Sequence, residues 1–498
     1  MDWSSHLPVF QVVVPLMTAP VIVLCRNRVV GWALASLVAF FSLYTSIQLL
    51  MTVQDSGPIV YQLGSWEGHI GIVYYIDIAN AYILTIVSAI SAVVFPYSYH
   101  SIAKEIPDFK LHYFYAALVL CLTGLLGIAA TGDAFNVFVF LEISSLSTYS
   151  IVAMGDKKGE APLASLAAYR YLIMGTIGGT FILLGIGFLY MMTGTLNMQE
   201  LSQLLPAVSE TSTVRAAFAF ITVGTCIKLA LFPLHMWLPN IYTHAPNVVS
   251  AFLSSTATKV SYYVLLRAMY TLFGAALAAQ AIQLKVIVGP MALIAIFLGS
   301  INAIKQDNIK KLLAFSSVAQ IGYMVLGLSV NNLNGLTGGL IHLFNHALMK
   351  GGLFLAVGCI FYRYGSVNLK DLKGVGKTMP LTMFAFALGG LGMIGVPMTA
   401  GFISKWYLVL GALDAGAWWM AVLILLASLL AVMYIFKVVE VAYFQEPPEN
   451  HNITEAPVSM LIPTYILVLA SVYFGIETQP MLGAARAAAD MFLSSGGL

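Results

Sequence analysis

The chain has 498 residues, of which 60% are hydrophobic and 9% are charged, and its mean hydropathy is +0.89. A soluble domain carries roughly 25% charged residues, so this composition excludes a soluble globular domain and indicates a polytopic membrane protein. The formal net charge is only +2, and the charges are too sparse to form the basic stripe that nucleic-acid binding requires.

Apolar runs of about twenty residues, the length that crosses a bilayer, recur along the whole chain. They are centred near residues 17, 40, 87, 121, 143, 178, 226, 260, 292, 318, 348, 394, 430 and 467. These runs predict an all-α integral membrane protein with about fourteen transmembrane helices. The first run follows MDWSSHLPVF, which lacks a basic region, so we expect a retained helix rather than a cleaved signal.

The basic residues predict the orientation of these helices, because cytoplasmic loops are enriched in Lys and Arg. With the N-terminus outside, the inner loops hold 13 of the 23 basic residues, among them Lys157, Lys158 and Lys305. The outer segments hold only 3, including Lys285. We therefore predict that both termini lie on the outer side of the membrane. We expect this membrane to be the cell membrane (inner or plasma membrane) of a prokaryote.

A short sequence pattern occurs twice, which indicates an internal repeat. GTLNMQEL begins at Gly194 and GSVNLKDL begins at Gly365, 171 residues apart. Pro233 and Pro397 lie in the seventh and twelfth runs, and each predicts a broken helix because proline removes a helical hydrogen bond. Each unit would contain five helices, and an odd number inserts the second unit upside down. A chance match in apolar sequence is the alternative.

The repeat divides the chain into four predicted regions. Residues 1–110 hold helices 1–3, residues 111–275 the first inverted repeat (helices 4–8), residues 280–445 the second (helices 9–13), and residues 446–498 helix 14 with a tail. Broken helices 7 and 12 are then corresponding elements of the two repeats.

Four lysines, Lys228, Lys259, Lys350 and Lys405, lie within predicted membrane spans. A charged side chain at the bilayer centre costs about 2.5–3.5 kcal/mol on insertion scales, so such residues usually have a function. Glu142 is the acid at the centre of the first repeat, and we expect it to pair with Lys228. This set predicts a proton or cation pathway, and a purely structural ion pair between helices is the alternative.

A second group of titratable residues lies in the stretch HLFNHALMK. It places His342, His346 and Lys350 four residues apart, and hence on one helical face. Imidazole titrates near neutral pH and both donates and accepts protons, so this ladder predicts a proton relay. Two histidines at this spacing also suit zinc, but no acid accompanies them as in HExxH and lysine is a poor third ligand. We therefore predict no metal site and no cofactor.

Other polar residues form weaker patterns. Asp77 is expected at the outer edge of the bundle or against a neighbouring subunit, and Arg267 near the outer interface. Lys437 and Glu440 are three residues apart and are expected to pair with each other. The four cysteines form no CxxC and no Cys/His metal pattern, so we expect them to be small buried residues.

Four stretches of the chain carry a resemblance to a known family. They read KLALFPLHMWLPNIYTHAP, QDNIKKLLAFSSVAQIGYMVLGL, HLFNHALMKGGLFLAVG and GVPMTAGFISKWYL. Together they resemble the antiporter-like subunits shared by respiratory complex I and the Mrp-type multisubunit monovalent cation/proton antiporters, over about residues 70–445. The stretch GVPMTAGFISKWYLV, the length and the layout are most similar to the D subunit of the Mrp complexes. The resemblance implies two inverted five-helix repeats, each with a half-channel, and a central polar axis.

The resemblance also implies roles for individual residues. The family's positions fall on Glu142 (acid of the fifth span), Lys228 (seventh span), Lys259 (eighth span), His346 and Lys350 (relay of the eleventh span) and Lys405 (terminal site of the twelfth span). One complex I paralogue carries an acid at the terminal position. The lysine here differs from that paralogue but does not separate the Mrp D subunit from the others.

From the resemblance we expect a proton-translocating subunit of a multisubunit Na⁺/H⁺ antiporter, which is not an enzyme by itself and works with other membrane subunits in the lipid bilayer. The sequence has no nucleotide-binding loop and no iron–sulfur or haem ligation pattern, so partners must supply any chemical energy. Two alternatives remain: a redox-driven proton-pumping subunit of a complex I-like or membrane-bound hydrogenase complex, and a passive scaffold whose buried charges are structural.

Overall fold

The computed structural model of the protein describes most of the chain. The described residues are 3–66, 68, 70–155, 161–274, 286–447 and 453–494. Three basic residues used for the orientation, Lys157, Lys158 and Lys285, lie outside the described residues, as does the predicted boundary between the repeats at 275–280.

The described residues are mostly helical, which confirms the all-α prediction. The α-helices are α1 (Leu7–Cys25), α2 (Arg28–Ser56), α3 (Ile78–Ser101), α4 (Leu111–Ala130), α5 (Ala134–Ala153), α6 (Ala161–Thr193), α7 (Met198–Val208), α8 (Ser212–Leu229), α9 (Trp237–His244), α10 (Asn247–Ser255), α11 (Ala257–Leu266), α12 (Val288–Ile304), α13 (Ile309–Val330), α14 (Leu333–Tyr364), α15 (Val375–Thr378), α16 (Pro380–Ile394), α17 (Ala400–Asp414), α18 (Trp418–Phe444), α19 (Val458–Ile476) and α20 (Gln479–Ser494). Short 3-10 turns and a π-helical turn at Arg267–Leu272 connect some of them. The sequence did not predict the antiparallel pair β1 (Ile59–Gln62) and β2 (Val73–Ile76), which lies between α2 and α3.

Eleven helices in the described part of the chain are long and apolar enough to cross a membrane: α1 to α6, α8, α13, α14, α18 and α19. Helices α12 and α16 are apolar but shorter. The remaining apolar sequence is divided among short helices, such as α10 and α11, which are separated at Thr256. The total of about fourteen spans therefore stays a prediction.

Helical conformation stops close to both predicted prolines. Helix α8 ends at Leu229, Ala230 is left-handed (φ 59°), and α9 begins only after Pro233. Helix α16 ends before Gly395, which is also left-handed (φ 86°), and α17 begins after Pro397. A proline cannot donate to the preceding turn, so each interruption has a local cause. Whether each pair of helices crosses the membrane as one broken span stays a prediction.

Helix α14 is the centre of the bundle. It has 32 residues, so it is about 48 Å long and exceeds the roughly 30 Å hydrocarbon core of a bilayer. It packs against α3, α10, α13, α16, α17, α19 and α20. Gly338 permits the close approach of α17, because a Cβ there would lie 2.8 Å from the backbone nitrogen of Leu408. The predicted His/Lys ladder therefore lies on the most enclosed helix.

The first copy of the sequence repeat forms a small polar motif between α4, α5 and α7. Asp133, which caps α5, and Asn197, which caps α7, form an isolated antiparallel bridge. The Thr195 hydroxyl accepts from the Asn197 backbone N–H at 3.2 Å and donates to Glu200 at 2.5 Å. Thr195, Asn197 and Glu200 of the GTLNMQEL stretch thus form hydrogen bonds at the start of α7.

The second copy builds the same motif at the start of α13. Asn308, which caps α13, forms the corresponding bridge with Asn368. The Ser366 hydroxyl accepts from the Asn368 backbone N–H at 3.2 Å and donates to Asp371 at 2.6 Å. Ser366, Asn368 and Asp371 each follow their counterparts in the first motif by 171 residues. The sequence repeat is therefore also a repeat of local structure, while the four regional boundaries stay predictions.

Candidate functional site

All but one of the predicted site residues are buried inside the bundle. The buried ones are Lys228, Lys259, His342, His346, Lys350 and Lys405. The exception is Glu142, whose side chain is 25% exposed. The structure places them on five helices, α5, α8, α11, α14 and α17, so the site is assembled by helix packing rather than by one local motif.

Glu142 and Lys228 meet between α5 and α8. The Lys228 ammonium (Nζ) lies 3.5 Å from Glu142 Oε1 and donates a shorter hydrogen bond, 2.8 Å, to Ser145 Oγ. Ser145 is one turn after Glu142 on the same face of α5. Gly179 on α6 leaves room for the carboxylate, because a Cβ at that position would clash with Glu142 Oε1. The pair is therefore a loose ion pair supported by a hydroxyl.

A small cavity of about 20 Å³ adjoins Lys228 and extends to α11. Ser144, Ser145, Thr148 and Ser261 supply hydroxyls to its wall. A volume of 10–15 Å³ on this measure holds about one water molecule. The cavity therefore offers a polar connection from the first lysine towards the helix that carries the second.

Lys259 lies at the start of α11 and is fully buried. Its Nζ donates to the Ser254 carbonyl and, at 3.4 Å, to Thr258 Oγ1. It is close enough to His346 and Lys350 on α14 to interact with them electrostatically. Among the described residues, no carboxylate forms an ion pair with Lys259. This lysine therefore lies near the α14 ladder with only neutral oxygen partners.

The ladder on α14 has the predicted shared face. The rings of His342 and His346 are nearly parallel (9°), with centroids 6.2 Å apart. Lys350 Nζ donates to the Leu313 carbonyl at 2.6 Å and to Ser316 Oγ at 2.5 Å. Within the described part of the chain, neither ring nitrogen of His346 has a hydrogen-bond partner, and no three His, Cys, Asp or Glu side chains are grouped to hold a metal ion. The absence of a metal from the protein stays a prediction.

The Lys405 side chain extends from the start of α17 back to the end of α16. Its Nζ donates to the carbonyls of Ile394 (2.7 Å) and Met393 (3.2 Å) and to Ser428 Oγ (3.0 Å). These are carbonyls of the last turn of α16, where the helix dipole is negative and partners within the helix are lacking. The end of α16 therefore stabilises the charged form of Lys405 without a carboxylate.

The end of α8, near Pro233, has a different hydrogen-bond partner. There the Trp237 indole N–H donates to the Ile227 carbonyl at 2.9 Å, at the end of α8. Lys228 Nζ lies instead against Ser145 and Glu142. The two lysines near the two helix ends thus have unlike surroundings, in agreement with their different spacing from the prolines.

The sequence did not predict that Asp77 and Arg267 are partners, and Asp77 is buried rather than at the edge of the bundle. Arg267 Nη2 lies 2.6 and 2.5 Å from the two carboxylate oxygens of Asp77, and both side chains are buried. Arg267 Nε also donates to the Tyr263 hydroxyl at 2.9 Å. Asp77 caps α3 at the same time. No local pattern joins two residues so far apart in the chain, so only the packing of α3 on the π-helical turn reveals this pair.

Two smaller expectations also need correction. Lys437 pairs with Asp307 (2.8 Å) and with carbonyls at the end of α12, rather than with Glu440. The hydrogen bond and charge of Lys437 lower the pKa of Asp307. Of the cysteines, Cys25 is exposed because it ends α1 at the bundle surface, and Cys226 is partly exposed, whereas the other two are buried as expected.

Sequence reasoning missed a polar cavity of about 110 Å³ between the ends of α9, α10, α13 and α14. Glu105 lies in its wall and accepts from the Asn247 backbone and side-chain N–H groups, each at 3.0 Å. Lys310 is also in the wall and donates to the Ala245 carbonyl at 2.5 Å. Glu105 is a remote cap for α10, and no local sequence signal announces a cap that comes from another part of the chain.

Comparison with known proteins identifies the family of the chain. Residues 131–431 match the family described as NADH:quinone oxidoreductase/Mrp antiporter, TM. NADH-quinone oxidoreductase subunit N of Desulforudis audaxviator is 40% identical over 496 residues, covering 96% of this chain and 97% of that protein. The D subunit of the Na(+)/H(+) antiporter of Alkalihalophilus pseudofirmus is 25% identical over 491 residues, covering 98% and 97%.

A solved structure agrees with these relatives. A chain of the Mrp complex from Dietzia sp. DQ12-45-1b superposes with a TM-score of 0.90 at 26% identity, covering 99% of this chain and 98% of that one. The matched family, the 40% identical subunit N and the superposed Mrp chain are all multi-pass subunits of ion-translocating membrane complexes. The chain therefore belongs to the family of membrane subunits shared by NADH:quinone oxidoreductases and Mrp antiporters.

Proposed function

We propose that the chain is the proton-translocating subunit of a multisubunit Na⁺/H⁺ antiporter. One observation carries the proposal: among the four lysines of the candidate site, Lys259, Lys350 and Lys405 have only carbonyl and hydroxyl oxygens as hydrogen-bond partners in the described part of the chain. A buried charge without a counter-charge is expensive and, within a membrane, marks an ion or proton pathway. Carbonyls and hydroxyls accommodate lysine in both its charged and its neutral form, because a neutral oxygen can accept a hydrogen bond from either form.

The contrast between two ion pairs supports this function over a passive scaffold. In the first pair, a single nitrogen of Arg267, Nη2, lies 2.6 and 2.5 Å from the two carboxylate oxygens of Asp77, and both side chains are buried, which suits a structural link. Glu142 and Lys228 are 3.5 Å apart in a single contact, and a hydroxyl is the nearer partner of the lysine. A loose pair can separate when Lys228 loses its proton. The Glu142–Lys228 pair is therefore suited to proton exchange, whereas the Asp77–Arg267 pair is suited to a structural role.

The proposed path follows the buried groups in their spatial order. A proton loaded at Lys228, beside Glu142, passes by the small cavity to Lys259. Lys259 interacts with the α14 ladder, so His346 and Lys350 are the next carriers. His342 and then Lys405 complete the path, and His342 is within electrostatic range of Lys405.

The proposal includes partners and a membrane orientation. We infer that other membrane subunits accompany this chain in a hetero-oligomeric complex in the prokaryotic cell membrane, because the superposed chain belongs to such a complex. We further propose that both termini are outside and that residues 111–275 and 280–445 are inverted repeats. The twin polar motifs support the inversion, since the predicted topology puts the first outside and the second inside. Reporter fusions at the C-terminus test the orientation: an enzyme active only outside the cytoplasm must be active there.

A redox-driven proton pump is the second candidate function. It is favoured by the 40% identity with NADH-quinone oxidoreductase subunit N, whereas the antiporter is favoured by the TM-score of 0.90 with the Mrp chain. Both candidates use the same buried path and differ in the energy source supplied by partners. In the redox case, oxidation within a partner protein drives the protons uphill. In the antiporter case, the two ion gradients drive each other at about 2.3 kcal/mol per charge per 100 mV.

Everted membrane vesicles that contain the whole complex test both candidates. The antiporter predicts a change of internal pH when Na⁺ is added after the proton gradient has been established. The redox pump predicts a pH change only on addition of an electron donor and none with Na⁺ alone. Lys259→Ala should abolish whichever response the native complex shows. A normal response in that variant, with the complex intact on a native gel, would contradict proton translocation through this chain.

A further inference from the structure

The buried path has a gap between His342 and Lys405. His342 Nδ1 is 2.9 Å from Ser404 Oγ, and Ser404 in turn donates to the Gly401 carbonyl at 3.0 Å. Lys405 points elsewhere, to Ser428 and the end of α16. In the described part of the chain, no hydrogen bond joins His342 or Ser404 to Lys405. A proton that reaches His342 therefore needs another group to continue.

Tyr323 on α13 contacts both sides of this gap. Its ring centroid lies 5.4 Å from that of His342 and 5.1 Å from Lys405 Nζ. The side chain is 2% exposed. Its hydroxyl neighbours that of Ser428, which is a partner of Lys405. Tyr323 belongs to the stretch QDNIKKLLAFSSVAQIGYMVLGL, to which the proposed function assigns no role.

Several buried polar atoms around Tyr323 lack partners. Among the described residues, no hydrogen bond is formed by the Tyr323 hydroxyl, Gln320 Oε1, the Tyr434 hydroxyl or His342 Nε2. Gln320 lies one turn from Tyr323 on α13, and its amide neighbours the Tyr434 hydroxyl. Buried polar atoms are normally satisfied by protein or by ordered water. A cluster with several such atoms has the two to four polar partners that an internal water requires.

We propose that the Tyr323 hydroxyl, together with Gln320 and Tyr434, holds an ordered water that passes protons between His342 and Lys405. The inference rests on the proposed proton translocation and adds a carrier to it. His342 gives its Nε2 proton to the water, and the water gives one of its own to the Tyr323 hydroxyl. That hydroxyl gives its proton through Ser428 to neutral Lys405. Each oxygen gains one proton and loses one, so only His342 and Lys405 change charge.

Tyr323→Phe tests the inference because it removes only the hydroxyl and keeps the ring against His342 and Lys405. In everted vesicles with the whole complex, we expect the initial rate of proton translocation to fall about tenfold or more, as for loss of an acid–base group. The solvent deuterium isotope effect should rise, because proton transfer across the gap becomes rate-limiting. A loss of packing alone would not raise the isotope effect.

Tyr82→Phe is the matched control. Tyr82 is also buried, and its hydroxyl donates to the Leu340 carbonyl at 3.2 Å. The Tyr82→Phe substitution removes a buried hydroxyl that already has a hydrogen-bond partner, so we expect a wild-type rate and isotope effect. Gln320→Leu is a second test variant. It should slow translocation and raise the isotope effect in the same way, and it tests the inference if Tyr323→Phe does not assemble.

The inference would be overturned by a wild-type rate and isotope effect in assembled Tyr323→Phe. If only Gln320→Leu assembles, the same result in that variant would overturn it. Lys405→Ala separates this failure from a failure of the proposed function. If Lys405→Ala loses translocation while Tyr323→Phe retains it, only the water-holding role is wrong. If both translocate normally, the proposed function fails as well.

Discussion

Glu142→Gln is the sharpest test of the first half of the path, because it removes one charge and keeps the size of the side chain. Two unit charges about 4 Å apart interact by about 4 kcal/mol at an effective dielectric constant near 20. Lys228 Nζ is 3.5 Å from the Glu142 carboxylate, so this figure applies to the pair. The Glu142 side chain is 25% exposed, and discounting the figure for screening leaves about 2 kcal/mol.

At about 1.4 kcal/mol per factor of ten, this loss corresponds to a roughly 30-fold slower translocation. The assay is the initial rate of pH change in everted vesicles that contain the complex, with its amount measured on a native gel. Glu440→Gln is the control, since Glu440 is an exposed acid on α18 that forms no ion pair in the described part of the chain. It should keep the wild-type rate.

Two results would refute the reasoning about the pair. A wild-type rate in assembled Glu142→Gln would show that Lys228 functions without the carboxylate. An equal fall in Glu440→Gln would show that any loss of an acid slows the complex. Lys228→Ala should be at least as slow as Glu142→Gln, and combining the two changes should add little, because the residues act as one unit.

The other predictions concern the second half of the path and the structural ion pair. Lys405→Arg should reduce the translocation rate more than tenfold although the charge is kept, because arginine cannot release its proton at accessible pH; wild-type activity would mean that the position needs only a charge. His346→Ala should slow translocation more than His342→Ala, since His346 is one turn from the ladder's lysine, and chelators should have no effect on the native rate; stoichiometric zinc lost together with activity would contradict the relay. Asp77→Asn keeps the helix cap but leaves Arg267 buried without its counter-charge, so thermal unfolding of the purified complex should show a loss of about 3–5 kcal/mol. An unchanged unfolding temperature would show that this pair does not hold the fold.

The sequence by itself determined the class of the protein and singled out most residues of the candidate site. An apolar composition is incompatible with water, so the helical membrane fold follows from it. Lys228, Lys259, Lys350 and Lys405 stood out because a charge in an apolar run is costly wherever its helix packs. The two similar octapeptides, at Gly194 and Gly365, showed which polar motif is built twice, because side chains that cap a helix act within a few residues of its start.

Only the tertiary structure decided which polar groups meet. Arg267 and Asp77 are 190 residues apart, and Tyr323 bridges residues of two other helices. Lys405 reaches the carbonyls of the preceding helix, a contact that depends on how the chain turns between α16 and α17. Such contacts depend on how each helix is rotated about its axis and how deep it lies against its neighbours. The hydropathy of a helix is the same for every rotation, so hydropathy does not predict these contacts. The residues of the candidate site could therefore be proposed from the sequence, whereas their partners required the packed bundle.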